Sequence, residues 1–487
     1  MTNNNNTYGS LIKLLQSYHH KTDIKASTKP NTLSQNNIKK QRQGKRKNVR
    51  ASQKQLLYST DWEKSALVNN FRKRGWQNVP PSDGEWNFYW AGIQNCRYIF
   101  CVDHPYRMRN DQMINHFPNS TELSRKDLLL KNIKRYRKDL ERKGDPLAAM
   151  YPTDDSKLGI GGTRYIHLDI IPMTFVLPAD YNLFVKEYQK SPSSTWIVKP
   201  SSKSQGVGIF LVNNLSKLKK YACDARTLHV PHLNRATCVI SKYIDNPLLI
   251  GGKKFDLRLF VLVTTYNPLK AYLYKEGFCR FCTEKYDQTE IDNLFMHLTN
   301  VSIQKTNKEY NDIHGGKWPI QNLWLYLDSI RGEGVSVRLW SLITETILHS
   351  LNAVAPMMAN DPHCFEVYGY DIIIDNNLKP WLIEINTSPS MHSTTNNDRT
   401  LKYRLIDNVL DVVLPPSGLP DIHWDKTPDK AALRNFTLLT SETEQRYKRI
   451  TGQLRKSKGR AITDIRKRVL VRKLARSKPN NLTSRKK

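Results

Sequence analysis

Tyr368-Gly369-Tyr370-Asp371-Ile372-Ile373-Ile374-Asp375-Asn376-Asn377-Leu378-Lys379-Pro380-Trp381-Leu382-Ile383-Glu384-Ile385-Asn386 sets two strand-forming runs on either side of Asp-Asn-Asn, the pattern of a β-hairpin. A four-residue loop from Asn376 to Lys379 would place Asp375 opposite Pro380 and, counting back along the ladder, Asp371 opposite Glu384. Directly opposed side chains share a face about 5 Å apart at Cβ. Alternation along the strand puts Asn386 on the face of Glu384. Two carboxylates and an amide oxygen then converge among apolar neighbours. Facing carboxylates repel, so one is protonated or a cation lies between them. Oxygen-only ligands suit a hard ion such as Mg²⁺, which takes a few carboxylates and leaves its other positions to water and phosphate. An ordinary hairpin with its acids in solvent is the competing reading, and the apolar flanks count against it.

The 487 residues suffice for two or three domains, but 25% are charged and the formal net charge is +32. The excess lies at the two ends. From Met1 to about Lys54 an Asn run (Asn3 to Asn6) is joined by Lys39, Lys40, Arg42, Lys45, Arg46, Lys47 and Arg50, with too few apolar residues for a core, so the stretch reads as disordered. Beyond Glu444 the only acid is Asp464, and Ala461 to Ala475 has the pattern of a basic helix. So basic a chain implies a polyanionic partner: nucleic acid, an anionic membrane or an acidic protein tail. Seven cysteines at irregular spacings fit reduced thiols better than a disulfide framework. Apolar stretches such as Leu259 to Val263 are far too short to span a bilayer, and the expectation is a soluble intracellular protein.

Folded sequence is expected from about Asp61, which would cap a helix carrying Leu67, Val68 and Phe71 and ending at Gly75. Trp76, Trp86, Phe88, Tyr89 and Trp90 read as core aromatics. A second helix, Leu123 to Arg142, would bury Leu128, Leu129, Ile133 and Leu140. Gly144 to Gly162 looks like a loop; Gly159, Gly161 and Gly162 are not followed by the Lys-Ser or Lys-Thr of a P-loop. Strands are expected at Trp196 to Val198, Ile209 to Val212, Cys238 to Tyr243, Leu257 to Thr264 and Ala271 to Tyr274. A long helix from Val335 to Ala353 carries Leu339, Leu342, Ile343, Ile347 and Leu351. This mixed order argues α/β or α+β with a ligand cleft between layers.

Four further segments carry chemistry. Trp196 to Pro200 is a buried strand delivering Lys199 beside the flexible turn Gln205-Gly206-Val207-Gly208, a placement suited to phosphate. In Lys254-Phe255-Asp256-Leu257-Arg258 the three charges share one strand face, where solvent or a ligand must meet them. Arg280 offers a planar fork for a carboxylate or phosphate; His297-Leu298-Thr299-Asn300 and Gly315-Gly316-Lys317 follow, and a lone His297 reads as a structural histidine. Cys279 and Cys282 form a CxxC with no second pair at zinc spacing.

Taken in order, Lys199 with Gln205-Gly206, Ser241-Lys242-Tyr243-Ile244, Lys254 to Arg258, His297 to Asn300, Asp371, and Glu384-Ile385-Asn386-Thr387-Ser388-Pro389-Ser390 resemble the motifs of the tubulin tyrosine ligase-like family. Asn115-His116-Phe117-Pro118-Asn119 and Asn246 to Gly252 are similar to its polyglutamylase branch. The resemblance covers about Asp61 to Pro416. It implies an α+β, ATP-grasp fold: a subdomain at 61–185, the ATP-grasp pair at 186–416, and basic segments at 1–60 and 417–487. It assigns Lys199, Gln205, Gly206, Ser241, Lys242, Tyr243, Ile244, Lys254, Phe255, Asp256, Thr299 and Asn300 to ATP, and Asp371, Glu384 and Asn386 to Mg²⁺. Arg280, Ser302 and Lys317 would serve the incoming glutamate, and Gln205 the protein substrate as well. Arg258 and Glu384 would be catalytic. Val301 departs from the pattern, since some glutamylases carry an aromatic residue there.

The activity implied is ATP-dependent ligation of free L-glutamate to γ-carboxyls in the acidic C-terminal tails of tubulin on microtubules. An acyl phosphate would be the intermediate and accessory subunits the potential partners. Cytoplasm, cytoskeleton and a cilium or basal body are the implied locations. Addition of glycine or tyrosine is the alternative on the same fold; Lys317 favours an acidic amino acid. A non-catalytic microtubule- or nucleic-acid-binding protein is the alternative of another class, and a metal cluster that a pure binder does not need counts against it.

Overall fold

Four short parallel strands, β1 (Leu57–Thr60), β2 (Gln77–Asn78), β3 (Phe88–Trp90) and β4 (Met113–Ile114), lie in the spatial order β2-β1-β3-β4. Helices α1 (Ser65–Lys73) and α2 (Ile93–Ile99) supply crossovers between them. The computed structural model describes residues 55–152, 163–218, 237–311, 316–393 and 395–439. The readings of the basic N-terminal stretch, of Gly159, Gly161 and Gly162, of Gly315 and of Ala461 to Ala475 lie outside these residues.

Asp61 does not cap α1; Lys64 holds that position without a side-chain bond. The Asp61 carboxylate instead accepts from Tyr89 Oη (2.7 Å), Gly92 N (2.6 Å) and Asn95 Nδ2 (2.8 Å), so it serves the start of α2, where donors cluster. The aromatic run is core as expected: Trp86, Phe88 and Tyr89 are buried, and Trp76 stacks on Phe71 at 5.3 Å. Leu123 to Arg142 is two helices, α3 (Thr121–Ser124) and α4 (Lys126–Arg142). The chain breaks at Arg125, which turns extended and forks onto Asp127 at 3.2 and 2.7 Å. Residues two apart do not face each other on a helix, so that contact needs the break. Leu130, not the half-buried Leu128, joins Leu129, Ile133 and Leu140 on the buried face. The segment read as a loop contains β5 (Met150–Pro152), which pairs with β6 (Thr163–Tyr165).

The second sheet is antiparallel: β7 (Thr174–Leu177), β8 (Trp196–Pro200), β9 (Phe210–Val212) and β10 (Cys238–Lys242), in the order β7-β10-β8-β9. Helix α5 (Tyr181–Lys190) covers it through Phe184, whose ring meets Trp196 edge-on at 5.1 Å.

The third sheet has eight strands. Its first members are β11 (Leu249–Ile250), β12 (Lys253–Tyr266), β13 (Leu269–Tyr274) and β14 (Phe278–Phe281). Helices α6 (Leu294–His297) and α7 (Val301–Gln304) lead to β15 (Lys317–Pro319), then to α8 (Ile320–Arg331) and α9 (Val335–Val354). The hairpin β16 (Glu366–Ile374) and β17 (Pro380–Asn386) follows, then α10 (Asn396–Val413), α11 (Lys430–Leu433) and β18 (Phe436–Leu438). Strand β12 pairs with β11, β13, β14 and β16 and is buried on both faces. Its odd-numbered side chains, Phe255 to Val263, share a core with Leu339, Ile343, Ile347 and Leu351 of α9. Phe260 and Leu262 on the other face pack with Leu405 and Val409 of α10. Lys254, Asp256 and Arg258 continue that second face beyond the apolar cover. Leu342, expected on the buried stripe of α9, is 37% exposed.

The hairpin pairs Asp371 with Glu384 as read, by a different route. Ile374, not Asp375, lies opposite Pro380, and a bulge at Ile383 restores the register before Glu384. Asp375 is drawn into the turn because its carboxylate accepts from Asn377 N (2.9 Å), Lys379 N (3.0 Å) and Trp381 Nε1 (2.9 Å). Without the bulge Glu384 would face the opposite side of the sheet. Helices and strands in this mixture make the fold α+β, with the described residues in one unit. Among the described residues no helix is long and apolar enough to cross a membrane.

Candidate active site

Backbone register alone assembles a row of charges across the third sheet. Lys317 of β15 pairs with Arg280 of β14, and Arg280 with Asp256 of β12. Arg258, two residues on from Asp256, pairs with Asp371 of β16, and Asp371 with Glu384 of β17. Cross-strand partners share a face, so all six side chains stand on one surface. Arg258 forks onto Asp371 at 2.6 and 3.1 Å. Arg280 forks onto Asp256, its Nε 2.8 Å from Oδ1, and its Nη2 also lies 2.8 Å from Asp371 Oδ2.

The repulsion between facing carboxylates is therefore relieved by protein cations rather than by protonation. Burial alone would raise the Asp371 carboxyl; the guanidiniums of Arg258 and Arg280 outweigh it and hold the group well below the usual carboxylate range. Glu384 has Lys126 Nζ 3.3 Å from its Oε2. Asn386 reaches Glu384 Oε1 and Gly369 O only at 3.5 Å. Two carboxylates and an amide on one face, oxygen donors throughout, fit a hard divalent cation at Asp371, Glu384 and Asn386. The CxxC does not fit a metal: both thiols are buried and pushed up, Cys282 to about 12, so neither is a ready thiolate ligand.

The second sheet forms the opposite wall of a cleft with about 1040 Å³ of empty space, its open mouth included. That suffices for a nucleotide-sized ligand. Lys199, Ser241, Lys242, Tyr243 and Ile244 line this wall, with Thr299 and Asn300 beside them. Ser241 Oγ lies 2.9 Å from Thr174 Oγ1, whose own hydrogen goes to Pro172 O at 2.7 Å, and the Ser241 backbone is paired in the sheet between Thr174 and Ile197. Ile197, Val239, Leu298 and Leu382 make much of the remaining surface apolar.

Lys199 and Lys254 have no carboxylate within salt-bridge distance among the described residues. Burial draws both ammonium groups down to about 8, and Glu384 only partly opposes this at Lys199. Buried cations without counter-ions call for an anion. A bound polyphosphate would raise both values again, so binding takes up protons above that point. Affinity for a polyphosphate is therefore expected to hold at neutral pH and to fall above pH 8, by up to about tenfold per pH unit for each lysine. Titration calorimetry from pH 7 to 9.5 checks this; a flat profile contradicts it.

Not every expected residue reaches the cleft. Phe255 turns into the core opposite, because it alternates with Lys254 and Asp256. Arg280 enters the row, but its fork is committed to Asp256 and Asp371, so it holds those acids rather than facing an open pocket. Lys317 Nζ lies 2.9 Å from Asp398 of α10, whose carboxylate also meets Lys402 at 3.0 Å. Gln205 and Ser302 lie exposed at the rim, where Ser302 Oγ donates to Gln205 O at 2.7 Å.

Gly206 sits beneath that contact at φ +80°, where an added Cβ would stand 2.5 Å from Ile303 Cδ1 and 3.3 Å from Asn300 Oδ1. Gly206→Ala is expected to displace the turn and weaken polyphosphate binding by about tenfold, given the roughly 1–2 kcal/mol cost of a left-handed L-residue. Unchanged affinity in a binding titration would contradict this role for the turn.

Sequence reasoning missed Lys126, which joins Glu384 to the turn after β8 through Nζ donation to Lys203 O at 3.1 Å. Among the many basic residues of α4 nothing in its spacing sets it apart. Asp398 and Lys402 were also missed. Thr395-Asn396-Asn397-Asp398 does carry a helix-start signature, and Thr395 Oγ1 accepts from Asp398 N at 3.2 Å, but that signal finds the helix and not the partner of Lys317.

Comparison with known proteins places these residues in a family context. The profile of the tubulin-tyrosine ligase family matches residues 104–422. The chain is 46% identical over 400 residues to the "Probable alpha-tubulin polyglutamylase Ttll1" of Tetrahymena thermophila, covering 81% of this chain and 94% of that one. To the "Probable tubulin polyglutamylase TTLL9" of Bos taurus it is 39% identical over 377 residues, 72% of this chain and 77% of the relative. To the mouse "Tubulin polyglutamylase TTLL5" it is 36% identical over 374 residues, 74% of this chain and 25% of that much longer protein.

Proposed function

This chain belongs to the tubulin-tyrosine ligase family, and from that membership we propose that it is an ATP-dependent ligase adding glutamate to glutamate side chains in the acidic tails of tubulin. The cleft is that of an ATP-grasp enzyme; the N-terminal subdomain starts at β1 rather than at 61, and the pair enclosing ATP starts at β7 rather than at 186 and takes in β18 beyond 416. The observation that carries this reading is the charged row from Lys317 to Glu384 in one cleft with two buried lysines, Lys254 beside the row and Lys199 on the other wall, that have no carboxylate within salt-bridge distance among the described residues.

In this reading Lys199, Lys254 and Lys126 hold the phosphates, and the adenine lies against the backbone from Ser241 to Ile244. Mg²⁺, held by Asp371, Glu384 and Asn386, would supply charge neutralisation at the transferring phosphate. A carboxylate is a poor electrophile. One oxygen of the acceptor γ-carboxylate attacks the terminal phosphorus of ATP, and ADP leaves. The amino nitrogen of free glutamate then bonds to the acyl carbon and loses a proton, and phosphate departs. Arg258 has its Nε and Nη2 on Asp371, and its Nη1 makes no hydrogen bond among the described residues, so it can donate to the developing oxyanion.

Lys317 serves the carboxylate of the incoming amino acid, with Arg280 behind it and Ser302 at the rim. A charge-assisted bond is worth about 1.5–3 kcal/mol, so Lys317→Ala is expected to raise the KM for glutamate by at least about tenfold and leave that for ATP within about twofold. Competition between labelled glutamate, glycine and tyrosine on tubulin tests the amino-acid assignment. Preference for glycine or tyrosine would move the chain to those ligases.

The basic ends suit an acidic partner, and a formal net charge of +32 suits the tubulin tails. Free L-glutamate, accessory subunits and a location on cytoplasmic microtubules, in a cilium or basal body, complete the proposal.

A further inference from the structure

A buried ammonium is useful only if its direction is fixed, and the single hydrogen-bond partner of Lys254 among the described residues is a phenol. Lys254 Nζ donates to Tyr243 Oη at 2.7 Å and stands 4.3 Å from the centre of that ring. Tyr243 Oη lies 2.9 Å from His297 Nδ1, and His297 Nε2 lies 3.0 Å from Glu290 O. Tyr286 is a further hydrogen-bond partner of Tyr243, and its own hydroxyl donates to Asp245 O at 2.9 Å. A carbonyl only accepts, so Nε2 carries the imidazole proton. In the neutral ring Nδ1 is then an acceptor, and the Tyr243 hydroxyl hydrogen goes to it. The oxygen lone pairs of Tyr243 are left facing Lys254, which can only donate.

We propose that His297 is a positioning residue: by fixing the hydroxyl of Tyr243 it holds the Lys254 ammonium in the cleft, and the cleft takes a nucleoside triphosphate well only while this imidazole is neutral. The inference rests on the nucleotide reading of the cleft and adds to it a residue that reads from sequence as structural.

The groups facing the ring are Tyr243, Tyr286, Lys254, Asp287 and Glu290. Burial lowers the imidazole from its ordinary value and Lys254 adds to this, against the smaller upward pull of the Glu290 carbonyl and of the Asp287 and Glu290 carboxylates. A proton on Nδ1 would point at the hydroxyl hydrogen of Tyr243. The hydroxyl hydrogen must then leave Nδ1 and turn towards Tyr286 or Lys254, and the arrangement that holds the ammonium is lost.

The test is the dissociation constant of MgATP, measured by titration calorimetry on the full chain between pH 5.5 and 8, for the wild type, His297→Asn and His297→Phe. Asn keeps an acceptor near the Nδ1 position but does not titrate; Phe keeps the bulk and removes the acceptor. The wild type is expected to weaken by up to about tenfold per pH unit below the imidazole value, itself under the ordinary value of about 6.5. His297→Asn should show only the shallower dependence set by ATP's own protonation, and His297→Phe should bind about tenfold more weakly at pH 7.5. Superimposed curves for the wild type and His297→Asn would overturn the inference while leaving the nucleotide site standing. Absence of MgATP binding by the wild type at every pH would overturn both. Nitrogen NMR of the His297 ring at pH 7.5 gives a readout independent of the variants: the Nε2–H tautomer is expected, and the Nδ1–H tautomer would overturn the assignment.

Discussion

Glu384→Gln is expected to lower kcat by at least about a thousandfold, since loss of a metal-bridging charge removes several kcal/mol of transition-state stabilisation. The fold should lose much less. The Glu384 side chain is 14% exposed and its salt-bridge partner among the described residues is Lys126 at 3.3 Å, so the lost pair costs about 1–2 kcal/mol. Glutamine keeps the shape and the hydrogen-bonding oxygen. Steady-state kinetics with thermal melting checks both halves: activity within threefold of the wild type would contradict the metal assignment, and a collapsed melting temperature would contradict its independence from the core.

Asp371→Asn is expected to cost both activity and stability. Its carboxylate is buried between Arg258 at 2.6 Å and Arg280 at 2.8 Å, and Arg280 also holds Asp256. Removing one member of a buried charge network leaves the others uncompensated, at about 3–5 kcal/mol. Denaturant unfolding should show a loss of that size, far beyond that of Glu384→Gln, although the two acids face each other across one ladder. Equal stability of the two variants would mean that the arginines do not depend on Asp371.

Much of this arrangement was legible because strand geometry has an invariant period. Two-residue alternation placed Lys254, Asp256 and Arg258 on one face and Phe255 and Leu257 on the other, and it carried Glu384 and Asn386 together. The same alternation, applied to Phe255 by itself, would have excluded it from the ligand-facing group. The hairpin register came out right although the loop was one residue longer than counted. Asp375 preferred turn donors to the strand, and the bulge at Ile383 compensated.

The misses were matters of who meets whom across long sequence distances. Asp61 had two helices within reach, and only the fold brings Tyr89, Gly92 and Asn95 to it. Lys126 looked like one more solvated cation until the break at Arg125 aimed it at Glu384. Arg280 looked free because its two acids lie 24 and 91 positions away in the chain.

The most direct test of the central claim is tandem mass spectrometry of tubulin tails after incubation with MgATP and equal amounts of labelled glutamate, glycine and tyrosine. The full chain, purified from its own cells with whatever partners it retains, is compared with its Glu384→Gln form. ATP-dependent glutamyl residues on glutamate side chains, made by the wild type and missing with the variant, are the expected result. Preferential incorporation of glycine or tyrosine, or glutamyl addition undiminished in the variant, would contradict the account.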